Sequence, residues 1–140
     1  MKSANLGSTV LDSNALLDLL EERNGAARIE RLIKQASGGH IQLLLSLINW
    51  GEVYYIVLRK RGLAAAERVL QQIAQLPIQV IPPDSELTKL AAGFHVQYKL
   101  PYADCFAAAL AEQHKAKLVT GDRDFEPLAR RLRILWTSTH

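Results

Sequence analysis

Short apolar segments alternate with longer stretches of helical periodicity along this sequence. The apolar segments have the length of buried strands and carry few charges. Strands that alternate with helices form an α/β fold with a mainly parallel sheet. The strands are predicted at residues 9–11, 41–45, 78–81, 117–120 and 133–136.

Helices are predicted between these strands. Ser13 or Asn14 is expected to cap the first helix and Asp84 or Ser85 a later one, because such side chains accept hydrogen bonds from free backbone N–H groups. Pro101 fits the first turn of another helix. The predicted helical ranges beyond the first are 26–36, 47–61, 63–76, 85–98, 102–115 and 125–131.

The 140 residues are expected to form one domain, residues 1–140, since no linker or repeat divides them. The single cysteine, Cys105, excludes an internal disulfide framework. With no secretory signal recognisable, this predicts a reducing, cytoplasmic setting. The net charge of +3 is compatible with nucleic-acid binding without requiring it.

Residues 41–58 are apolar enough to raise the question of a membrane span. They contain Gln42, Ser46, Asn49 and Glu52, and their length is marginal for crossing a bilayer. A strand followed by a buried helix is therefore expected, and no membrane association.

Three acids stand alone in segments that otherwise resemble core. Asp12 is the only charged residue in 3–17, Glu52 in 41–58 and Asp104 in 100–111. Desolvating a lone charge costs several kcal/mol unless a partner compensates it. No Lys or Arg in these segments supplies one.

Three explanations are open for these acids. Each takes a distant Arg or Lys, or each is protonated with a raised pKa, or all converge on a bound cation. The same anomaly in three separate segments favours the shared cation. Oxygen ligands without a His or Cys cluster suit Mg²⁺ or Mn²⁺.

A fourth acid follows the strand at 117–120. Asp122 lies just beyond it on a turn with Gly121, and Thr120 is expected to orient the Asp122 carboxylate by a hydrogen bond. Asp124 is a fifth candidate, or else the cap of the short helix near residue 125. Ligands of α/β folds bind beyond the carboxyl ends of strands, where Asp12 and Asp122 both fall.

Each acid also has a purely structural interpretation. Asp12 is then a helix-start residue, Glu52 pairs with Arg59 or a remote basic residue, and Asp104 interacts with a helix dipole near Pro101. All three would have to hold independently, so the metal site is the preferred interpretation.

The ordered motifs resemble those of PIN-domain nucleases, specifically the VapC-type toxins of prokaryotic toxin–antitoxin pairs. The matching segments extend over nearly the whole chain and are residues 11–17 (LDSNALL), 49–53 (NWGEV), 100–109 (LPYADCFAAA) and 118–125 (LVTGDRDF).

This resemblance implies a three-layer α/β/α fold and endoribonuclease activity that depends on Mg²⁺ or Mn²⁺. It also implies a homodimer and inhibition by a small cognate antitoxin. By position, the acidic quartet of the family falls on Asp12, Glu52, Asp104 and Asp122. Thr120 matches a supporting hydroxyl, and Asp124 a less constant extra acid.

We expect Asp12, Asp104 and Asp122 to bind metal directly, and Glu52 to bind a second metal or orient water. A small-molecule phosphohydrolase would use the same acids, but the sequence has no Gly-rich phosphate-binding loop. A non-catalytic dimerisation or partner-binding module is the other alternative.

Basic residues are the expected contacts for an RNA substrate, and no histidine is assigned a catalytic role. The candidates are Arg59, Lys60, Arg61, Arg123, Arg130 and Arg131.

Overall fold

A computed structural model describes residues 7–137 of the chain; His140 and both ends of the predicted domain lie outside them. The described residues form one five-stranded sheet in which every neighbouring pair of strands is parallel, in the order β3-β2-β1-β4-β5. The predicted α/β class is confirmed. The strands are β1 (Gly7–Leu11), β2 (Ile41–Ser46), β3 (Ile78–Ile81), β4 (Lys117–Thr120) and β5 (Ile134–Trp136).

Helices connect consecutive strands, except that β4 leads to β5 through a short 3₁₀ helix. The α-helices are α1 (Ser13–Leu20), α2 (Ala26–Ser37), α3 (Leu47–Arg61), α4 (Leu63–Ala74), α5 (Ser85–Tyr98) and α6 (Tyr102–Gln113). The 3₁₀ helix is Arg123–Leu128. No helix in the described part of the chain has the length and apolar character needed to cross a membrane.

Helix starts differ from the sequence prediction at two places. Asp12, and neither Ser13 nor Asn14, caps α1, because its carboxylate accepts the backbone N–H of Ala15. The helix predicted at 125–131 begins earlier, since Asp122 accepts the backbone N–H of Asp124 and caps it. The alternative in which Asp124 caps that helix is therefore wrong. Asp84 caps α5 as predicted.

Three helix ends also come earlier than predicted. The 3₁₀ helix ends at Leu128, where residue 131 was expected. Helix α6 stops at Gln113 because Lys115 adopts a left-handed conformation with φ of 51°. Helix α4 stops at Ala74, three residues before Pro77, which disfavours helical backbone in the residue before it.

The sheet separates two helical layers, as alternation of side chains along a strand requires. Val10, Leu44 and Leu118 pack with α5, α6 and the 3₁₀ helix on one face. Leu11 and Leu43 pack with α1 and α2 on the other face, which also carries α3 and α4. The three-layer α/β/α arrangement is the one expected.

Helix α6 is enclosed by the rest of the protein. Every residue from Asp104 to Ala111 is buried, and Ala107, Ala108 and Ala109 meet the sheet cluster that contains Val10. Small side chains allow α6 to lie close to the sheet. The carboxylate of Asp104 is thereby brought to the ends of the central strands.

The strand order creates a crevice beside β1. The chain runs from β1 to β2 and β3 on one side, whereas β4 and β5 lie on the other side. Open α/β sheets bind ligands at such a reversal, beyond the carboxyl ends of the strands. The acids after β1 and β4 lie there.

Two glycines give opposite stability predictions. Gly93 lies within α5 with open space around its Cβ position, so Gly93→Ala should raise the free energy of unfolding by about 0.5–1 kcal/mol. A Cβ on Gly25 would lie 2.8 Å from Cβ of Thr137 and also collide with Asp18. Gly25→Ala should therefore destabilise by about 1–3 kcal/mol. Urea unfolding of both variants checks this; equal effects would contradict it.

Candidate metal centre

Asp12 anchors the site at the end of β1. Its side chain is 2% exposed, and one oxygen accepts the N–H of Ala15 at 2.7 Å. The other oxygen accepts the hydroxyl of Thr120 at 2.5 Å. Burial is the main cause that raises the pKa of Asp12 to about 8; the two hydrogen bonds oppose this rise, and the charges of Asp104 and Asp122 contribute to it. Asp12 is thus both a helix cap and a member of an acidic cluster.

The Thr120 hydroxyl connects the ends of β1 and β4. It donates to Asp12 and accepts the backbone N–H of Asp122 at 2.9 Å. The predicted supporting role is therefore corrected in its target: the hydroxyl orients the carboxylate of Asp12, whereas it touches only the backbone of Asp122. Thr120 is completely buried, which fixes this arrangement.

Asp104 is the carboxylate least compensated by the protein. It is 7% exposed, and its Oδ2 atom is buried without a hydrogen-bond partner among the described residues. The pKa of Asp104 is raised to about 7. Burial is the largest cause, and the negative charges of Asp122, Glu52 and Asp124 contribute in the same direction. A buried acceptor with no donor is expensive unless a ligand satisfies it.

Glu52 is held by a buried amide that the sequence analysis did not single out as a site residue. Asn49, on the preceding turn of α3, donates to Glu52 at 3.2 Å and to the carbonyl of Ala103 at 3.2 Å. This side chain is completely buried. It ties Glu52 to the start of α6, beside Asp104. An Asn three residues before a lone Glu in an apolar segment was the available sequence signal.

All four predicted acids line one cleft of about 280 Å³, whose acidic members are Asp12, Glu52, Asp104 and Asp122. Carboxylate oxygens of Asp104, Asp122 and Asp124 lie within 4.8 Å of one another. Asp124 is exposed and does not line the cleft itself, yet it extends the cluster on the solvent side.

The donor set of this cleft fits a hard divalent cation. The clustered groups are carboxylates without His or Cys, which is the preference of Mg²⁺ and Mn²⁺. A cation would also satisfy Oδ2 of Asp104 and offset the mutual repulsion of the acids. Among the described residues, Glu52 forms no ion pair with Arg59, whose guanidinium lies over the Tyr55 ring.

A second contact fixes the turn that carries Asp122. The backbone N–H of Gly121 donates to the side chain of Asn14 at 2.9 Å. A Cβ at Gly121 would lie 2.5 Å from the Thr137 hydroxyl and 3.0 Å from Oδ1 of the Asn14 side chain. Only glycine permits this approach between the end of β4 and α1.

Two of the six predicted substrate-binding cations lie in the cleft, Arg59 and Lys60. Arg61 instead binds Glu21, and Arg131 binds Glu112. Arg123 stacks on Trp136, and Arg130 does not line the cleft. Arg23, which was not predicted, joins Arg59 and Lys60.

A parallel α/β domain with an acidic cleft at its strand reversal is thus defined by the geometry. The sequence matches the family model of the PIN domain over residues 9–131. The chain therefore belongs to the PIN domain family. No curated protein matches it.

Solved structures with the same fold include toxins from toxin–antitoxin systems. DNA-bound VapBC from Salmonella typhimurium gives a TM-score of 0.74 at 16% identity, covering 95% of this chain and 100% of that chain. A toxin–antitoxin complex from Klebsiella pneumoniae gives 0.71 at 20% identity, covering 94% and 99%. VapC20 of Mycobacterium tuberculosis, a toxin that cleaves the sarcin–ricin loop, gives 0.68 at 16% identity, covering 85% and 93%.

Removing one buried charge should stabilise the metal-free protein. Asp104→Asn deletes the negative charge at the least compensated position, so at pH 8 in EDTA the free energy of unfolding should rise by about 1–3 kcal/mol. The same variant should lose most of the increase in melting temperature that Mg²⁺ gives the wild type by binding the folded state.

Glu30→Gln, an exposed acid on α2, is the matched control and should change neither quantity. Scanning calorimetry with and without Mg²⁺ measures both. An Asp104→Asn protein that is less stable in EDTA, or that keeps the full Mg²⁺ response, would contradict the site.

Proposed function

We propose that this protein is a divalent-metal-dependent endoribonuclease and the toxin component of a type II toxin–antitoxin pair. The observation that carries the proposal is the buried Oδ2 of Asp104, which has no hydrogen-bond partner in the described part of the chain and lies in a cleft with three further carboxylates. Mg²⁺ or Mn²⁺ is the cofactor that this donor set favours.

The carboxylates divide into ligands and supporting groups. Asp104 and Asp122 offer clustered oxygens, and Asp12 lines the same cleft, so these three are the proposed direct ligands. Asp12 is aimed by the Thr120 hydroxyl and by the Ala15 N–H. Asp124 is the proposed additional acid at the open side of the cluster.

Hydrolysis of a phosphodiester needs an attacking water and neutralised phosphate charge, which a bound divalent ion supplies. Glu52 stands across the cleft on α3, fixed by Asn49. There it serves either as ligand to a second ion or as acceptor of a hydrogen bond from the attacking water. Opposite Glu52, the side chains of Asp12, Thr120 and Asp104 are buried, so bulk water is excluded from that side of the cleft.

The biological role is proposed from the structural neighbours. Those from Klebsiella and Salmonella are toxin–antitoxin assemblies, and the one from Mycobacterium cleaves an RNA loop. We infer an RNA substrate, a small cognate antitoxin, a homodimeric toxin and a cytoplasmic location. A short upstream reading frame whose product binds the purified protein and blocks cleavage would support this role; a product that binds without blocking would oppose it.

Two cap residues make a matched test of catalysis. Asp12 caps α1 and Asp84 caps α5, each through its own carboxylate. Asn caps helices about as well as Asp, so both Asp→Asn variants should fold. Asp12→Asn should reduce Mg²⁺-dependent cleavage of total cellular RNA to the level seen in EDTA, whereas Asp84→Asn should cut at the wild-type rate.

Gel analysis of RNA ends with each variant, and with bis-p-nitrophenyl phosphate as a second substrate, separates the alternatives. Wild-type cleavage by Asp12→Asn would refute the assigned site. Turnover of the small ester without RNA cleavage would indicate the phosphohydrolase alternative, and no metal-dependent turnover of either would indicate the binding module.

A further inference from the structure

The acidic cleft also has a basic end, formed by α3. We propose that Arg59 and Lys60 bind a backbone phosphate of the RNA strand next to the phosphate held at the metal centre. This inference rests on the proposed function, because that function places a phosphodiester chain in the cleft.

The spacing along α3 separates the two ends of the cleft. Glu52, Ile56, Arg59 and Lys60 all line it, and positions four, seven and eight residues apart share one helical face. With a rise of 1.5 Å per residue, Arg59 and Lys60 begin about 10–12 Å from Glu52 along the axis. They therefore lie beyond the carboxylate cluster, where a neighbouring phosphate of the same strand would sit.

The cations of this cleft differ in how they are already engaged. Arg23 binds Glu21 and lies 3.8 Å from Asp18. In the part of the chain that the structure describes, neither Arg59 nor Lys60 forms an ion pair with a carboxylate. The hydrogen bond from Arg23 is the main cause of the lowered pKa of Glu21, to which the charges of Arg61 and Lys60 add smaller contributions.

Arg59 is positioned rather than neutralised. Its guanidinium carbon lies 5.7 Å from the centre of the Tyr55 ring, a cation–π contact that leaves the charge intact. A planar guanidinium beside a mobile ammonium group is a common pair for phosphate, since the first binds two oxygens at once and the second acts as a point charge.

A nucleic-acid strand suits this arrangement better than an acidic peptide. A strand whose phosphate is held at the carboxylate cluster must place its next negative charge along the cleft, at the basic end. A peptide carboxylate has no such regular neighbour, and it would meet the four acids directly. The occupant we propose is therefore single-stranded RNA.

Salt dependence of binding tests this subsite. The measurement uses the Asp104→Asn variant as the parent, because this substitution suppresses cleavage. The logarithm of the binding constant for a labelled oligoribonucleotide is plotted against the logarithm of the salt concentration. Each phosphate contact on a single strand contributes a slope of about −0.7. Because the two side chains share one phosphate, Arg59→Gln with Lys60→Gln should make the slope about 0.7 less steep, for oligonucleotides of unrelated sequence alike.

A control of equal charge is Lys34→Gln with Lys117→Gln. Lys34 lies in the last turn of α2, which leads into β2, and Lys117 is the first residue of β4. Both therefore lie near the amino-terminal ends of the strands, away from the cleft at their carboxyl ends. This control should keep the parent slope. All four positions are exposed, and melting temperatures confirm that both double variants fold.

The outcomes separate the subsite from the proposed function. An unchanged slope for Arg59→Gln/Lys60→Gln, or an equal change for the control, would overturn the subsite while RNA binding stands. An Asp104→Asn parent that binds no RNA, although the wild type cleaves it in Mg²⁺, would overturn the subsite, because the basic end would then add no measurable affinity. A wild type that cleaves no RNA in Mg²⁺ would overturn the proposed function and the subsite with it. The same measurement is repeated with an acidic peptide in place of RNA. If the parent and the Arg59→Gln/Lys60→Gln variant then have the same slope, RNA is supported as the occupant. If the two slopes differ as much with the peptide as with RNA, the choice of RNA is opposed.

Discussion

The arrangement of this protein depends on the burial of two neighbouring carboxylates, Asp12 and Asp104, neither of which forms an ion pair with a Lys or Arg among residues 7–137. Asp12 and Asp104 are both nearly inaccessible, and this burial is the main cause of the raised pKa of each; the neighbouring charges that add to the rise are those of other acids. Repulsion of this kind opposes folding of the metal-free chain, so the rest of the fold must supply the stability. A bound divalent cation offsets this repulsion, so the same carboxylates then stabilise the folded state as its ligands.

The fold brings these acids together through its topology. Parallel strands end at one edge, the strand order reverses beside β1, and α6 lies close to the sheet because its inner residues are alanines. Small polar contacts then set the orientation of each carboxylate. The Thr120 hydroxyl holds Asp12, and the buried amide of Asn49 holds Glu52. The position of the site thus follows from where the parallel strands end, and the orientation of its carboxylates follows from a few side-chain hydrogen bonds.

Much of this could be predicted from the sequence, because burial leaves a pattern in it. The bounds of α3, β3 and β4 were predicted correctly. The four acids singled out in the sequence, Asp12, Glu52, Asp104 and Asp122, line one cleft, and their role as metal ligands stays a prediction. Roles that depend on a hydrogen-bond direction were not predictable. Thr120 was assigned to the wrong carboxylate, the cap of α1 to the wrong residue, and the role of Asn49 was missed, since each depends on distances between segments far apart in the chain.

The central claim is that the carboxylate cleft binds a divalent metal through Asp104. Anomalous diffraction from crystals grown with Mn²⁺ tests it most directly. We expect an anomalous peak in contact with Oδ2 of Asp104 and with an oxygen of Asp122. A well-ordered crystal at saturating Mn²⁺ whose peaks all lie away from this cleft, with Oδ2 of Asp104 bound to a protein donor instead, would contradict it.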